Sequence, residues 1–458
     1  MRALLLGLLL ALGQPPFPFG VLVPLVLARA FSLRGFAPGF LLGLGFWGLT
    51  LAWLPASFYA RFGPFGALPF FVMIPLLAAF LGVLFTLFGG RPLALVGGWI
   101  LFEVLMQQGE LAFPWGQLGY AFALAPGRPI ASWFGLSGLS LFTLLVAYGL
   151  FRRRYWVFLP WLLLWFWPFW PKPPADQQAL VVQAAVDPLA KAAGLEAGQR
   201  YLALTRAGLR AHPEATLVVW PETAVWRLPS GIDAVLGDRP LIYGTWGPAG
   251  ENRVALYQKG RVVAWRDKAR LVPFGEFFPF RGALGPVYAF FFQRMGLPPL
   301  RDLPRRGVGS PLGPFAAYIC YESDFPELVR GLVRRGGKVL VNLSNDAWFG
   351  VGFGREQHLW MAGMRAAELG LWLVRAANDG ISAGFDPFGR ITGRLGPGEK
   401  GVLAVPFAEA SPSLYARVGP LPAVGLAFVL LVLGLFEERS PVPFDRVGVE
   451  PRLSHRRR

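Results

Sequence analysis

Phe315-Ala316-Ala317-Tyr318-Ile319-Cys320-Tyr321-Glu322-Ser323 is an apolar run of strand character that stops abruptly in polar residues, and it holds the only cysteine of the 458-residue chain. A lone thiol can form neither an internal disulfide nor a multi-thiolate zinc site, which leaves two readings: a small buried hydrophobe or a nucleophile. Two other apolar runs end in the same way. Thr216 to Trp220 leads into Pro221-Glu222-Thr223, and the run that closes at Trp265 leads into Asp267-Lys268, followed by Ala269-Arg270-Leu271-Val272-Pro273-Phe274-Gly275-Glu276. A thiol, a carboxylate and an ammonium, each at the end of a strand-like run, can converge at one edge of a layered fold.

Outward from these runs, the chain from Pro174 to Ala408 alternates strands with helices. Strand-like stretches occur at Ala179 to Val186, Thr216 to Trp220, Pro240 to Thr245, Arg253 to Trp265, Phe315 to Tyr321, Val339 to Leu343, Leu371 to Ala376 and Gly401 to Val405. Apolar residues at three- and four-residue spacing predict helices over Pro188 to Ala211, Phe325 to Arg335 and Arg355 to Leu369. This interleaving argues for a layered α/β architecture. Arg253 to Tyr257 and Arg261 to Trp265, separated by Gln258-Lys259-Gly260, read as a hairpin, so the sheet is expected to be mixed.

The flanks read differently. The chain is 54% hydrophobic with 40 Phe and 17 Trp, and its mean hydropathy is +0.46. That exceeds the apolar share of an ordinary globular protein, so part of the chain is expected to face lipid. Apolar stretches lie at Ala3 to Leu12, Phe19 to Leu27, Phe40 to Leu54, Leu68 to Leu87, Leu93 to Met106, Ile130 to Leu150, Tyr155 to Trp170 and, beyond the middle segment, Val418 to Leu435. Several reach the roughly 20 residues that cross the hydrocarbon, while the first two and the fifth are short. With no small-residue cleavage site before Gln14-Pro15-Pro16, the first stretch reads as a retained helix paired with the second, in preference to a signal peptide. The expectation is a polytopic α-helical membrane domain over 1–173 with about seven spans, an α/β domain over 174–409, and a final span with a basic tail over 410–458.

Charge gives the orientation. With a cytoplasmic N-terminus, Arg2, Arg29, Arg34, Arg91 and Arg152-Arg153-Arg154 fall inside, against Arg61, Arg128 and Lys172 outside. The α/β domain then lies outside the cytoplasm, and Ser454-His455-Arg456-Arg457-Arg458 returns inside. The net charge of +17 is thus read as membrane-surface basicity, compatible with an anionic headgroup; no nucleic-acid recognition motif accompanies it.

As chemistry, a buried thiol needs a base or a positive charge nearby: Glu222 can take the proton, and Lys268 can stabilise a thiolate and then an oxyanion. Spacing alone leaves the alternatives open. Glu222 can equally cap a turn after Pro221, Lys268 can end a solvated strand, and Cys320 can fill a core.

The ordered set Trp220-Pro221-Glu222, Lys268 with Leu271-Val272-Pro273-Phe274-Gly275-Glu276, and Ile319-Cys320-Tyr321-Glu322 resembles the Glu-Lys-Cys triad of the nitrilase (carbon-nitrogen hydrolase) superfamily. Asn342-Leu343-Ser344-Asn345-Asp346-Ala347-Trp348-Phe349-Gly350, Gln357-His358, Arg365-Ala366-Ala367-Glu368, and Phe113-Pro114-Trp115 with Leu118-Gly119-Tyr120 are similar to its apolipoprotein N-acyltransferase branch. The resemblance spans nearly the whole chain. It implies a nitrilase-like αββα sandwich beside about eight membrane spans, in a bacterial inner membrane with the sandwich on the periplasmic side. It also implies Glu222 as general base, Cys320 as the nucleophile that becomes a thioester, and Lys268 as partner of the tetrahedral intermediate, with Glu276, Tyr321 and Glu322 in support. The partners it implies are a phospholipid acyl donor and a diacylglyceryl apolipoprotein acceptor, with no cofactor or metal. A membrane-anchored amidase using water, and a non-catalytic lipoprotein-binding protein, are the alternatives.

Two departures stand out. The family's Gln-Gly-Asn-Ile strand reads Gln183-Ala184-Ala185-Val186, followed by Asp187-Pro188-Leu189, which puts substrate contacts there in doubt; its Arg-Ala-Thr-Asn motif reads Arg375-Ala376-Ala377-Asn378. Weaker candidates for substrate binding are Trp115, as an interfacial anchor or a lip over an acyl cleft, and Asn345, as a site residue or a turn former. Phe290 and Phe291 belong to an aromatic stretch after Glu276, read either as a membrane-dipping loop or as core. His358 has no companion at metal-ligand spacing and reads as a structural hydrogen-bonding residue.

Overall fold

The computed structural model describes residues 1–62, 68–187, 197–294, 301–350 and 352–438. The segment 188–196, which includes part of one expected helix, and the basic tail lie outside the described residues.

Eleven strands form two sheets among the described residues. Six of them, β1 (Gln177–Gln183), β2 (Leu217–Val219), β3 (Leu241–Trp246), β4 (Asn252–Gln258), β5 (Arg261–Asp267) and β11 (Gly401–Phe407), lie in the order β11-β1-β2-β3-β4-β5. The second sheet takes β6 (Phe315–Ile319), β7 (Val339–Ser344), β8 (Leu373–Ala377), β9 (Ser382–Phe385) and β10 (Ile391–Leu395) in the order β10-β9-β8-β7-β6. Both sheets are mixed, and β4 pairs with β5 as the expected hairpin. β9 and β10 escaped the sequence reading. β10 alternates half-buried with exposed positions, and β9 is only four residues long, so neither is a continuous apolar run.

The period of two assigns each strand's faces. Ala179 and Val181 of β1 point inward with Leu217, Val219, Ala317, Ile319, Val341 and Val374, forming the core between the sheets. Leu180 and Val182 point outward against α9 (Gly198–Ala211) and α10 (Ile232–Leu236), through Tyr201, Leu202, Leu209 and Leu236. On the far side, Tyr318, Leu340 and Leu373 meet α12 (Pro326–Arg334) and α13 (Gly354–Leu369), through Val329, Leu332, Leu359 and Ala366. The result is an α/β sandwich with layers α-β-β-α.

The N-terminal part is helical: α1 (Arg2–Ala11), α2 (Val23–Ala30), α3 (Phe36–Thr50), α4 (Leu54–Phe62), α5 (Leu68–Phe88), α6 (Pro92–Leu105), α7 (Ala131–Phe151) and α8 (Phe158–Trp165); α15 (Leu421–Leu435) joins it after α14 (Leu414–Val418). Glycines allow close approach. A Cβ on Gly45 would lie 2.3 Å from the Leu4 carbonyl, and one on Gly97 would lie 2.3 Å from that of Ala427, so α1 meets α3 and α6 meets α15 nearly backbone to backbone. Phe71, Val72, Leu76, Phe80, Val83 and Leu87 leave an exposed apolar stripe on α5. Two helical segments, Phe70–Phe88 and Arg128–Phe151, are long and apolar enough to cross a membrane, and six more stretches carry shorter apolar helices.

Bundle and sandwich are joined by specific bonds. Gly135 (φ 66°) breaks α7 and frees the Leu136 N–H, which donates to Glu368 Oε1 of α13 at 2.5 Å. Gln357 Oε1 accepts from the indoles of Trp53 and Trp115, at 2.9 and 3.0 Å.

The aromatic stretch after Glu276, expected either as a membrane-dipping loop or as core, is neither from Arg281 onward. It forms helix α11 (Arg281–Arg294), in which Phe290 and Phe291 are exposed and Phe292 packs edge-on against Phe278, with ring centroids 5.2 Å apart. The expected loop rested on aromatic density, a feature that carries no backbone preference.

Candidate active site

Glu222 follows β2 at its C-terminal end, where the chain turns sharply at Thr223 (φ 47°). The turn fits because β3 offers Gly244, on which a Cβ would stand 2.6 Å from Glu222 Cα and 2.4 Å from the Pro221 oxygen. Lys268 follows β5 and is buried. Its Nζ lies 3.1 Å from Glu222 Oε1 and 2.8 Å from Glu276 Oε1. Burial alone would favour the neutral amine, but the two carboxylates outweigh it and hold the amine well above its ordinary value, so it is an ammonium. Asn252, which opens β4, donates Nδ2 to both carboxylates, at 2.7 Å to Glu222 and 3.2 Å to Glu276. The other oxygen of Glu276 accepts the Val272 N–H at 2.8 Å, fixing the loop that carries it.

Cys320 follows β6 in a left-handed conformation (φ 48°), which costs a β-carbon residue about 1–3 kcal/mol and persists only where surroundings impose it. The clamp on one side is Glu322. Its Oε2 accepts the Ile319 N–H at 2.8 Å and its Oε1 accepts the Ala269 N–H at 2.7 Å, so a single carboxylate ties the strand end bearing Cys320 to the one bearing Lys268. Arg266 binds it bidentately at 2.7 and 2.8 Å with both side chains buried. Burial would raise this carboxyl, yet Arg266 and the N–H donors hold it below its usual range. Burial pushes the Cys320 thiol up, the Glu222 charge adds to the rise, and Lys268 opposes it. At rest the thiol is protonated, with a base and an ammonium in electrostatic reach.

The second clamp is His358, whose Nε2 lies 3.3 Å from the Cys320 carbonyl and 3.0 Å from Ser323 Oγ. Ser323 directs its hydroxyl to Asp324 Oδ1 at 3.1 Å, and on the other side of the ring Nδ1 lies 3.0 Å from Asp346 Oδ1, so the imidazole bridges the two polar groups. Beyond the ring, Arg375 Nη2 sits 2.7 Å from Asp346 Oδ2 and 3.0 Å from His358 Nδ1, and Ser344 Oγ donates to Asp346 Oδ1 at 2.6 Å. A sulfur, an imidazole nitrogen and a carboxylate oxygen of Cys320, His358 and Asp346 lie within 4.8 Å of one another. With the Arg375 guanidinium buried against Asp346, this cluster reads as a hydrogen-bond network, since a cation placed there would meet a fixed positive charge.

Tyr321 turns away from the thiol and donates its hydroxyl to the Ala112 carbonyl at 2.7 Å, fastening the nucleophile's turn to the bundle. Trp115 is buried, which removes it from any interfacial anchoring; it stacks on Phe113 and on His358, with centroids at 5.8 and 6.3 Å. Asn345 is also buried, and its Oδ1 accepts from Asn378 at 3.2 Å, away from the Glu222 cluster. Gln183 bonds the Gly396 and Glu399 carbonyls at 2.7 and 2.9 Å, a role internal to the sandwich. Asn252 and Arg266 carry no signal in the sequence, and Arg375 stands there in a family-like motif without a role. Each lies within a strand-like run or at its end, where an isolated polar residue is indistinguishable from a solvated one until the fold buries it.

The sequence model of the Apolipoprotein N-acyltransferase N-terminal domain matches residues 6–149, and that of Carbon-nitrogen hydrolase matches residues 248–411. The chain is similar to an apolipoprotein N-acyltransferase of Azotobacter vinelandii, 32% identical over 96% of this chain and 95% of the relative. It is also similar to one of Pseudomonas syringae pv. tomato, 31% identical over 93% of this chain and 94% of the relative. Among solved structures, an amidase from Nesterenkonia sp. aligns at 20% identity with a TM-score of 0.36, covering 54% of this chain and 94% of its own.

Proposed function

The chain belongs to the apolipoprotein N-acyltransferase family, and from that premise we propose that Glu222, Lys268 and Cys320 move an acyl chain from a phospholipid to a lipoprotein through a thioester. The enzyme is an acyltransferase of lipoprotein biosynthesis with a nitrilase-like α/β domain. The observation that carries the mechanism is the buried Lys268 ammonium held between Glu222 and Glu276, beside the strained Cys320.

Glu222 takes the thiol proton as Sγ attacks the ester carbonyl, and the oxyanion forms beside Lys268. The intermediate collapses with release of the lysophospholipid alkoxide, which takes the proton back from Glu222. In the second half, the neutral amine of the diacylglyceryl-cysteine attacks the thioester; its proton passes through Glu222 to the departing thiolate, and an amide remains. Supplying labelled phospholipid together with a diacylglyceryl peptide tests this reading. Label is expected on the peptide's N-terminus; label released only as free fatty acid would favour hydrolysis by water.

The membrane arrangement belongs to the same proposal: eight spans, with boundaries near 173 and 409 and the sandwich on the extracytoplasmic side. The charge bias of the loops supports it, and the sidedness does not depend on how the α1–α2 pair crosses. Whether α1 and α2 each cross the bilayer or dip in as a hairpin, the chain returns to the side it left. A protease added to intact spheroplasts is expected to cut the sandwich; protection until lysis would reverse the orientation.

Helix α11 is the proposed entry for lipid. Its Tyr288 and Phe292 pack against Phe278 of the segment that follows from Lys268, while Phe290 and Phe291 are exposed and no residue of α11 is buried. Replacing both with Ser is expected to slow loading of Cys320 from vesicles by about tenfold, in line with two interfacial rings lost, while leaving alkylation by a small soluble reagent unchanged. Equal losses with both reagents would make the rings structural.

A further inference from the structure

A cavity of about 50 Å³ opens between the bundle and the sandwich, lined by Gly109, Glu110 and Ala112 on one side and by Ala269, Arg270, Phe277, Arg305 and Tyr321 on the other. Its position is specific. Ala269 directly follows Lys268 and Tyr321 directly follows Cys320, so the cavity lies one residue beyond each of two site residues. It is several times the roughly 10–15 Å³ that holds one water, room enough for a tetrahedral oxyanion.

Its charge is specific too. The half-buried Arg270 lies over the Phe325 ring at 4.9 Å, and among the described residues its guanidinium has no carboxylate partner. Arg305 lies over Phe277 at 3.9 Å and, among the described residues, its carboxylate contact is a long one, 3.6 Å to Glu110 Oε1. The other Glu110 oxygen accepts the Phe280 N–H at 2.5 Å, so Glu110 is committed to the base of α11, and Arg305 can exchange partners. Two guanidinium groups stacked on aromatic faces leave their N–H edges for an acceptor, the geometry suited to phosphate.

We propose that Arg270 and Arg305 seat the headgroup phosphate of the acyl donor. The inference rests on the phospholipid-donor reading above and deepens it. The acceptor, a diacylglyceryl thioether with a free amine, carries no phosphate at that position, so the seat serves the loading half-reaction and distinguishes donor from acceptor at a shared thiol.

The test compares initial rates of Cys320 thioester formation from a phospholipid and from a diacylglycerol of the same acyl chains, in mixed micelles, by intact mass. Wild type is expected to prefer the phospholipid, and Arg270→Gln to lower that preference by about tenfold or more, as loss of a charge-assisted bond implies. Arg270→Lys is expected to recover part of it. Inorganic phosphate is expected to slow loading of wild type from phospholipid only. An unchanged preference in Arg270→Gln would overturn the proposal, as would equal loss in the Lys variant, which would assign Arg270 to packing on Phe325. Inhibition by phosphate with the preference intact would identify a free-anion site and also overturn it. If wild type forms no thioester from either donor, it is the acyl-transfer reading that fails.

Discussion

Lys268→Met is expected to reduce Cys320 acylation by about two to three orders of magnitude, because it removes the positive charge where the oxyanion forms. Methionine fills similar space without a charge. The loss extends beyond the transition state, since Nζ is what lets the buried Glu222 and the half-buried Glu276 close around Asn252. Removing one partner of a buried pair typically costs about 3–5 kcal/mol, so a lower melting temperature is expected as well. Rates measured well below that temperature separate the two effects. Acylation within tenfold of wild type in a folded Lys268→Met protein would show that the ammonium does not face the reaction.

Glu222→Gln is expected to lower acylation by about two to four orders of magnitude by removing the base while preserving shape. Its second effect has the opposite sign. The Glu222 charge is one of the causes that push the Cys320 thiol up, so neutralising it lets the thiol ionise at lower pH, with Lys268 still beside it. Alkylation by a small soluble reagent at fixed pH, measured by mass, is therefore expected to become faster while ester-driven loading collapses. Parallel loss of both reactivities would mean that Glu222 acts by holding the site together and not as a base.

These effects meet at a site whose outline was legible before any fold was known. Glu222, Lys268 and Cys320 each close an apolar run; β2 and β5 belong to one sheet, with β3 and β4 between them, and β6 is the edge strand of the other. The hairpin of β4 and β5 was legible because Lys259-Gly260 supplies two positive-φ positions between alternating residues. The clamps were not. Glu322 ties Ile319 to Ala269 across a gap of about fifty residues, and nothing in local sequence reports a bond of that span. Asn252 looks like the start of a solvated strand until β3 and β5 bury it between two carboxylates. His358, read as a structural hydrogen-bonder, does bond, and its partners include the nucleophile's own carbonyl. On the membrane side, hydropathy located the apolar helices but not their bounds: α8 is 8 residues long, Phe158–Trp165, within the run read from Tyr155 to Trp170.

The left-handed turn at Cys320 bears on rate. Thr223, Phe274 and Cys320 all have positive φ within the loops that carry the site residues, and strain of this kind survives only under a network that over-determines it. Here the network is shared between domains, through Tyr321 on Ala112 and Trp115 on His358, so the position of the sulfur depends on how the bundle seats against the sandwich.

The most direct measurement is the intact mass of the purified protein after incubation with phospholipid and no acceptor. One added acyl group is expected, released by neutral hydroxylamine and absent from Cys320→Ala. An adduct that persists in Cys320→Ala, or a wild-type protein that turns over lipid without ever carrying one, would contradict a thioester on Cys320.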